Sequence, residues 1–212
     1  MRMKHAQAEI IREYGPFAGA DAVHGVTFDG RHVWFASGDK LNALDPETGE
    51  IVRTIDIAGD AGTAFDGKHL FQIAAGHIQK IDLATGRVLA TIASPGQGGD
   101  SGLAWAEGSL WVGQHLGRKI YQIDPDTGAI LRTIESKRIV TGVTWVDGKL
   151  WHGTWEGEES DVRRIDAKTG EIMEALDMPE GTGVSGLESD GAGRFFCGGG
   201  SSGKVRVVRL PK

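Results

Sequence analysis

With 212 residues, a formal charge of −6 and a pI near 5.6, the chain offers no broad electrostatic footprint for a phosphate backbone or an anionic membrane, so neither nucleic acid nor membrane is an expected partner. Apolar and charged fractions of 40% and 25% are ordinary for a globular protein. Cys197 is the single cysteine, which excludes an intramolecular disulfide and a thiolate metal cluster within one chain.

The opening segment Met1 to Ile10 carries charge but no apolar run long enough for a secretory signal, and no stretch approaches a spanning helix; a cytoplasmic location is expected. The segment Ala8-Glu9-Ile10-Ile11-Arg12-Glu13-Tyr14 then reads as a strand. After it, one pattern is written five times, opening at Gly25-Val26-Thr27-Phe28, Gly62-Thr63-Ala64-Phe65, Gly102-Leu103-Ala104-Trp105, Gly142-Val143-Thr144-Trp145 and Gly186-Leu187-Glu188-Ser189. A period of about 40 residues in an all-strand pattern is a propeller signature.

The third copy shows the unit. Gly102 to Trp105 forms a short strand, Glu107-Gly108 a tight turn, Leu110 to Gly113 a second strand and Lys119 to Asp124 a third. Asp124-Pro125-Asp126-Thr127-Gly128 turns the chain into a fourth strand, Ala129 to Ile134. Proline presets φ, the aspartate accepts from the backbone two residues on, and glycine takes the positive φ that closes the bend. The same turn recurs as Asp45 to Gly49, Asp82 to Gly86 and Asp166 to Gly170, so these aspartates read as turn residues and not as ligands. One aromatic per copy (Trp34, Phe71, Trp111, Trp151, Phe195) predicts rings wedged between neighbouring blades.

The fifth copy lacks its outer strand. The early strand matches the fourth-strand pattern of Ile51 to Ile55 and Ile130 to Ile134, which predicts that it pairs with Lys204 to Leu210 and closes the ring. The fold expected is therefore an all-β, five-bladed β-propeller, one domain over residues 1–212, closed by the N-terminal strand pairing with the last blade. Gly198 to Lys204 resembles part of a phosphate-binding loop, but Val205 stands where a hydroxyl is needed and a strand follows instead of a helix.

The copies differ at one mouth of the ring. Just before the opening glycines stand His24, Ala61, Ser101, Thr141 and Ser185, positions that converge near the axis and can line a polar pocket or simply satisfy backbone groups. Loops after the aromatic column add Gln114-His115-Leu116-Gly117-Arg118 and Gly153-Thr154-Trp155-Glu156. His24, His115 and Glu156 are the candidate acid–base residues; Trp155, Ser101, Thr141, Ser185, Gln114 and Arg118 are the candidate substrate contacts. No resident metal and no cofactor is expected. Glu158, Glu159 and Asp161 read as a solvated acidic loop, Asp60 and Asp100 as caps of loop turns, and His5, His32 and His69 fall outside the mouth.

The chain resembles the glutamine cyclotransferase family, the plant and bacterial type of glutaminyl-peptide cyclase, over nearly its whole length. The best local match is Val146-Asp147-Gly148-Lys149-Leu150-Trp151-His152-Gly153-Thr154-Trp155, continuing to Arg164-Ile165-Asp166. The resemblance implies a five-bladed propeller and a substrate-facing ring at Trp155. The chain departs from the family where its acids stand: His24 replaces a Gln, Ala61 a Glu, Thr141-Gly142 an Asn-Glu pair, and Trp34-Phe35-Ala36-Ser37 lacks an acid. The chain thus reads as a divergent member without those carboxylates.

The expected function is that of a propeller binding a small-molecule ligand at its axial mouth, as a monomer or weak homo-oligomer. Its residues suit an acid–base enzyme of lyase, isomerase or intramolecular acyl-transfer type. Two alternatives are a glutaminyl-peptide cyclotransferase with relocated acids and a non-catalytic protein-interaction propeller.

Overall fold

The computed structural model describes residues 4–210, which form strands and no helix. Strands β1 (Lys4–Gln7) and β2 (Ile10–Tyr14) precede the repeat. Blade 1 comprises β3 (Val26–Phe28), β4 (Val33–Ser37), β5 (Lys40–Leu44) and β6 (Ile51–Asp56). Blade 2 comprises β7 (Thr63–Phe65), β8 (His69–Ala74), β9 (His77–Asp82) and β10 (Val88–Ala93). Blade 3 comprises β11 (Asp100–Ala106), β12 (Ser109–Gln114), β13 (Lys119–Ile123) and β14 (Ile130–Glu135). Blade 4 comprises β15 (Val140–Val146), β16 (Lys149–Glu156), β17 (Glu159–Ile165) and β18 (Ile172–Asp177). In blade 5, β19 (Gly186–Ser189), β20 (Arg194–Gly198) and β21 (Val205–Arg209) are completed by β2.

That closure is antiparallel, with Tyr14 opposite Val205 and Ile10 opposite Val208. Across the seam, Tyr14 donates its hydroxyl to Pro46 O at 2.6 Å, and Arg12 donates to Pro46 O and Glu47 O at 2.8 and 3.0 Å. The same device recurs on outer strands elsewhere. Arg53 reaches the carbonyls of Leu83 and Ala84, and Arg132 reaches that of Ala167. Each arginine ties its blade to the Asp-turn of the next.

The turns owe their shape to their aspartates. Asp82 and Asp124 each accept an N–H from the threonine three residues on, at 2.7 and 2.8 Å, and the closing Gly86 and Gly128 take φ of 73° and 75°.

The core sits between blades, in five clusters of buried apolar residues, one per interface. Phe71 stacks on Trp105 at 5.6 Å, Trp111 meets Trp145 at 5.0 Å and Trp151 meets Phe195 edge-on at 5.1 Å. Each pair spans two blades, as the aromatic column predicts.

At the axis the repeated glycines make a closed circuit. A Cβ on Gly25 would strike the backbone of residues 61–63, and one on Gly62 the backbone of residues 102 and 103. One on Gly102 would strike residues 141–143, one on Gly142 residues 186 and 187, and one on Gly186 residues 24–26. The five inner strands approach so closely there that no side chain fits, and this sets the floor of the mouth.

One element was not expected. β1 pairs in parallel with β18, from Lys4 opposite Glu174 to Gln7 opposite Asp177, adding a fifth strand to the outer edge of blade 4.

Candidate functional site at the axial mouth

The residues that precede the glycine circuit line a cavity of about 630 Å³ at one end of the axis. His24, Ala61, Ser101, Thr141 and Ser185 form its wall, one from each blade. Asp60, Asp100, Gln114, His115, Leu116 and Trp155 come from the surrounding loops and strand ends. Of the candidate residues read from the sequence, His24, His115, Trp155, Ser101, Thr141, Ser185 and Gln114 are brought to this one cavity; Glu156 and Arg118 are not among its lining.

Glu156 leaves the site for a geometric reason. Trp155 and Glu156 are successive residues on β16, paired with Ser160 and Glu159, so their side chains fall on opposite faces. The Glu156 carboxylate accepts the Ile139 N–H at 2.8 Å and pairs with Arg118 at 3.1 Å and Arg138 at 3.5 Å. The Ile139 amide, with help from both arginines, holds it below the ordinary carboxylate range, the wrong direction for a general acid. Arg118 is engaged by the same pair and by Lys137 O at 3.1 Å. Nor is the following loop uniformly solvated: Asp161 is buried, accepting Thr154 Oγ1 at 2.8 Å and pairing with Arg163 at 2.7 Å and Arg138 at 3.1 Å.

The wall hydroxyls divide into two kinds. Ser101 donates toward Val140 O at 2.7 Å, with Gly113 O at 3.1 Å, and Ser185 donates to Val23 O at 2.6 Å while accepting the Gly200 N–H at 3.0 Å. Both are staples between strands. Thr141 differs: its Oγ1 is buried without a partner among the described residues, so a ligand polar group there would satisfy it.

His24 is half-buried, and burial lowers its pKa below 6.5 while the negative charge of Asp60 acts weakly the other way. Its imidazole is therefore neutral near pH 7 and carries an unprotonated nitrogen. Among the described residues none is hydrogen-bonded to the ring, which leaves it free to meet a ligand. His115 sits exposed on the rim.

Asp60 and Asp100 cap loop turns, as their position two residues before a glycine suggests. Asp60 accepts the Ala75 N–H at 3.1 Å; Asp100 Oδ2 accepts Ser94 Oγ at 2.5 Å and Gly96 N–H at 3.0 Å. The capping leaves Asp100 Oδ1 buried with no partner among the described residues. Burial pushes its carboxyl above 3.8 despite the two donors. The sequence reading missed these carboxylates as site residues because one role, capping, accounted for them; that both sit on loops feeding the same mouth was the available signal.

Trp155 forms a wall of the cavity. Its ring lies so close to Gly183 and Gly200 that a Cβ on either would overlap it, and its Nε1–H donates to Gly157 O at 3.2 Å. The glycine-rich Gly198–Lys204 segment thus seats a tryptophan between two strands. Lys204 itself turns outward to Glu13 at 3.3 Å. Among the described residues no group of three or more His, Cys, Asp or Glu is arranged to hold a metal ion.

No family model and no curated protein matches the sequence. Among solved structures, glutaminyl cyclase from Myxococcus xanthus superposes with a TM-score of 0.80 at 21% identity, over 98% of this chain and 98% of that one. The WD40 β-propeller domain of Doa1 superposes with a TM-score of 0.54 at 18% identity, over 88% of this chain and 63% of that one. The likeness is one of fold: the chain has a glutaminyl-cyclase-like propeller.

Proposed function

We propose that the axial mouth binds a small ligand carrying a free amine and catalyses an acid–base reaction on it, with intramolecular aminolysis, the glutaminyl-cyclase type of acyl transfer, as the reaction. The observation that carries this reading is the composition of the mouth. A neutral, unpartnered imidazole stands with two carboxylates and an indole wall, and among the described residues no lysine or arginine lines the cavity. Such a site favours a cationic or neutral ligand over an anionic one. The fold shared with glutaminyl cyclase supports the reaction class.

In this reading Asp60 and Asp100 draw in the substrate ammonium and His24 Nε2 or Nδ1 takes its proton. The freed amine attacks the side-chain carboxamide carbon and a C–N bond forms. The protonated His24 gives its proton to the carboxamide nitrogen as the old C–N bond breaks and ammonia leaves, and the vacated His24 nitrogen then takes the surplus proton of the attacking nitrogen and passes it to solvent. Thr141 Oγ1 supplies a hydrogen bond to the carboxamide and Trp155 packs against the substrate's apolar part. Asp60 and Asp100 occupy the role that the acids absent at Ala61 and Thr141-Gly142 leave open. The chain would then be a cyclotransferase with relocated acids, working in the cytoplasm on a small-molecule or peptide substrate.

A glutamine-initiated peptide incubated with the protein between about pH 6 and 9, where a histidine base operates, should lose the mass of ammonia and gain a lactam. Absence of turnover with retained saturable binding would leave a ligand-binding propeller; absence of both would reject the reading. One observation favours a protein-interaction role instead: Leu116, 78% exposed, stands on the rim of the cavity. A single apolar residue is a small patch, and Leu116→Ser should leave ligand binding intact.

A further inference from the structure

The inner strands run from the mouth to the opposite face of the ring, where a different set of residues meets. One residue beyond each Gly+1 core position, the blades present Thr27, Ala64, Ala104, Thr144 and Glu188. Four are small and neutral, and the fifth is a carboxyl. Thr27 donates its hydroxyl to Glu188 Oε2 at 2.9 Å, while Thr144 Oγ1 and the Ser189 N–H donate to Oε1 at 2.5 and 2.8 Å. Every donor is neutral, and among the described residues no cationic side chain pairs with the carboxyl. Protein surrounds the carboxyl, although the residue as a whole is only partly buried.

At the far ends of the inner strands lies a cavity of about 350 Å³, bordered by Ser189, the residue after Glu188, while Glu188 itself lies behind that lining. Phe28, Phe65 and Trp145 bound it, Ser189 takes the place an aromatic holds in other blades, and Asp147 stands on its rim. Two further carboxylates at its edge are already engaged: Asp29 with Trp34 Nε1–H at 2.7 Å and Asp190 with Arg194 at 2.6 Å. Asp147 has no such partner among the described residues; it is exposed at a turn with φ of 50°. Among the described residues no lysine, arginine or histidine lines the cavity.

We propose that this far end of the axis is a second binding site, separate from the mouth, that takes an alkylammonium group. Its charge faces the Asp147 carboxylate on the rim and is drawn toward the Glu188 carboxyl behind the lining, and its carbon stem lies among Phe28, Phe65 and Trp145. Aromatic faces attract a cation within about 6 Å of the ring centroid. A carboxylate enclosed by protein with only neutral donors lacks a counter-charge, which the ammonium supplies. The alkylammonium group is either that of a free amine or that of a lysine side chain on a partner, and the same pocket chemistry serves both.

The test is a titration of n-butylammonium chloride at constant ionic strength, followed by the amide NMR shifts of residues 28, 65, 145 and 189. It is run on the wild type, on Glu188→Gln, and on the mouth variant Asp60→Asn. Saturable shifts at the far end should persist in Asp60→Asn and weaken at least about tenfold in Glu188→Gln, a change of about one decade in Kd. If Glu188→Gln fails to fold, Asp147→Asn serves, since asparagine tolerates the same turn geometry; it should weaken binding several-fold. A lysine-containing tripeptide and its ε-acetylated form separate the two sources: tighter binding by the unmodified peptide than by butylammonium points to a partner's lysine, and weaker binding to a free amine. Absence of saturable shifts in the wild type, or equal binding in all variants, overturns the proposal. Shifts confined to residues of the mouth would also overturn it while sparing the reading of the mouth.

Discussion

Replacing Gly102 by alanine tests whether the five glycines close the axis. Gly102 does not adopt a positive φ, so by backbone considerations alone alanine should stabilise the protein by about 0.4–1 kcal/mol through the unfolded chain. The ring geometry predicts the opposite sign. A Cβ there would lie 2.7 Å from Thr141 O, 2.7 Å from Val143 N and 2.8 Å from Gly142 C. All three are backbone atoms of the next blade, which cannot rotate away. Overpacking of this kind costs about 1–3 kcal/mol. Taking the upper end, because the neighbours are rigid, and subtracting the unfolded-state gain leaves a net loss of about 2 kcal/mol. For a domain of this size that is roughly a 4–8 °C drop in Tm. Thermal and urea unfolding of Gly102→Ala measure it, with Gly99→Ala as the comparison, since its added Cβ would meet only ordinary contacts from 3.4 Å outward. A Gly102→Ala protein as stable as the wild type, or more so, would refute the closed circuit.

Further outcomes follow from the site and its surroundings. His152, 1% exposed, has its pKa depressed from 6.5 to about 4 by burial. Because the unfolded chain binds the proton that the fold refuses, this stability is complete above pH 6.5 and is lost as pH falls toward 4. At 1.36 kcal/mol per unit the total is about 3 kcal/mol, and a His152→Gln variant should show a flatter pH–stability curve in urea melts. Trp155→Ala should weaken ligand binding at the mouth at least about tenfold while costing only about 1–2 kcal/mol in stability, less than a fully buried ring would; a large stability loss with unchanged binding would mean that the ring is simply core. Glu156→Gln should leave turnover unchanged and lower Tm slightly by releasing Arg118 and Arg138, and a collapse of activity would contradict its placement outside the cavity.

The blades were legible because a repeat states each turn and each core ring five times over, so single deviations do not obscure it. Closure by β2 was legible for a related reason: its Ile10-Ile11-Arg12 reads like Ile51-Val52-Arg53 and Ile130-Leu131-Arg132, and the arginine proves to serve the same latch in all three. β1 was not legible. Lys4-His5-Ala6-Gln7 is exposed along its length, shows no apolar alternation, and is held by parallel pairing to a strand far away in sequence. In the site, the placement of Trp155 and Glu156 turned on which of two neighbouring residues faces the axis, a period-two question that sequence proximity blurs. The hydroxyls of Ser101 and Ser185 illustrate the converse: a polar residue at the right place can be wholly occupied by backbone groups. Asp100 acquires its interest from burial and an unpartnered oxygen, and Glu188 from burial among neutral donors alone, which no local pattern records.

The most direct measurement of the central claim is the proton NMR signal of the His24 ring during titration with a glutamine-initiated peptide. It is best made in Asp100→Asn, where turnover should be slowed while the ligand still enters. The account predicts a saturable shift of His24 Cε1–H, with little change at His5, His32 or His69, which lie outside the mouth. A peptide that binds without moving His24, or that moves those outer histidines instead, would contradict the assignment of the axial mouth as the site.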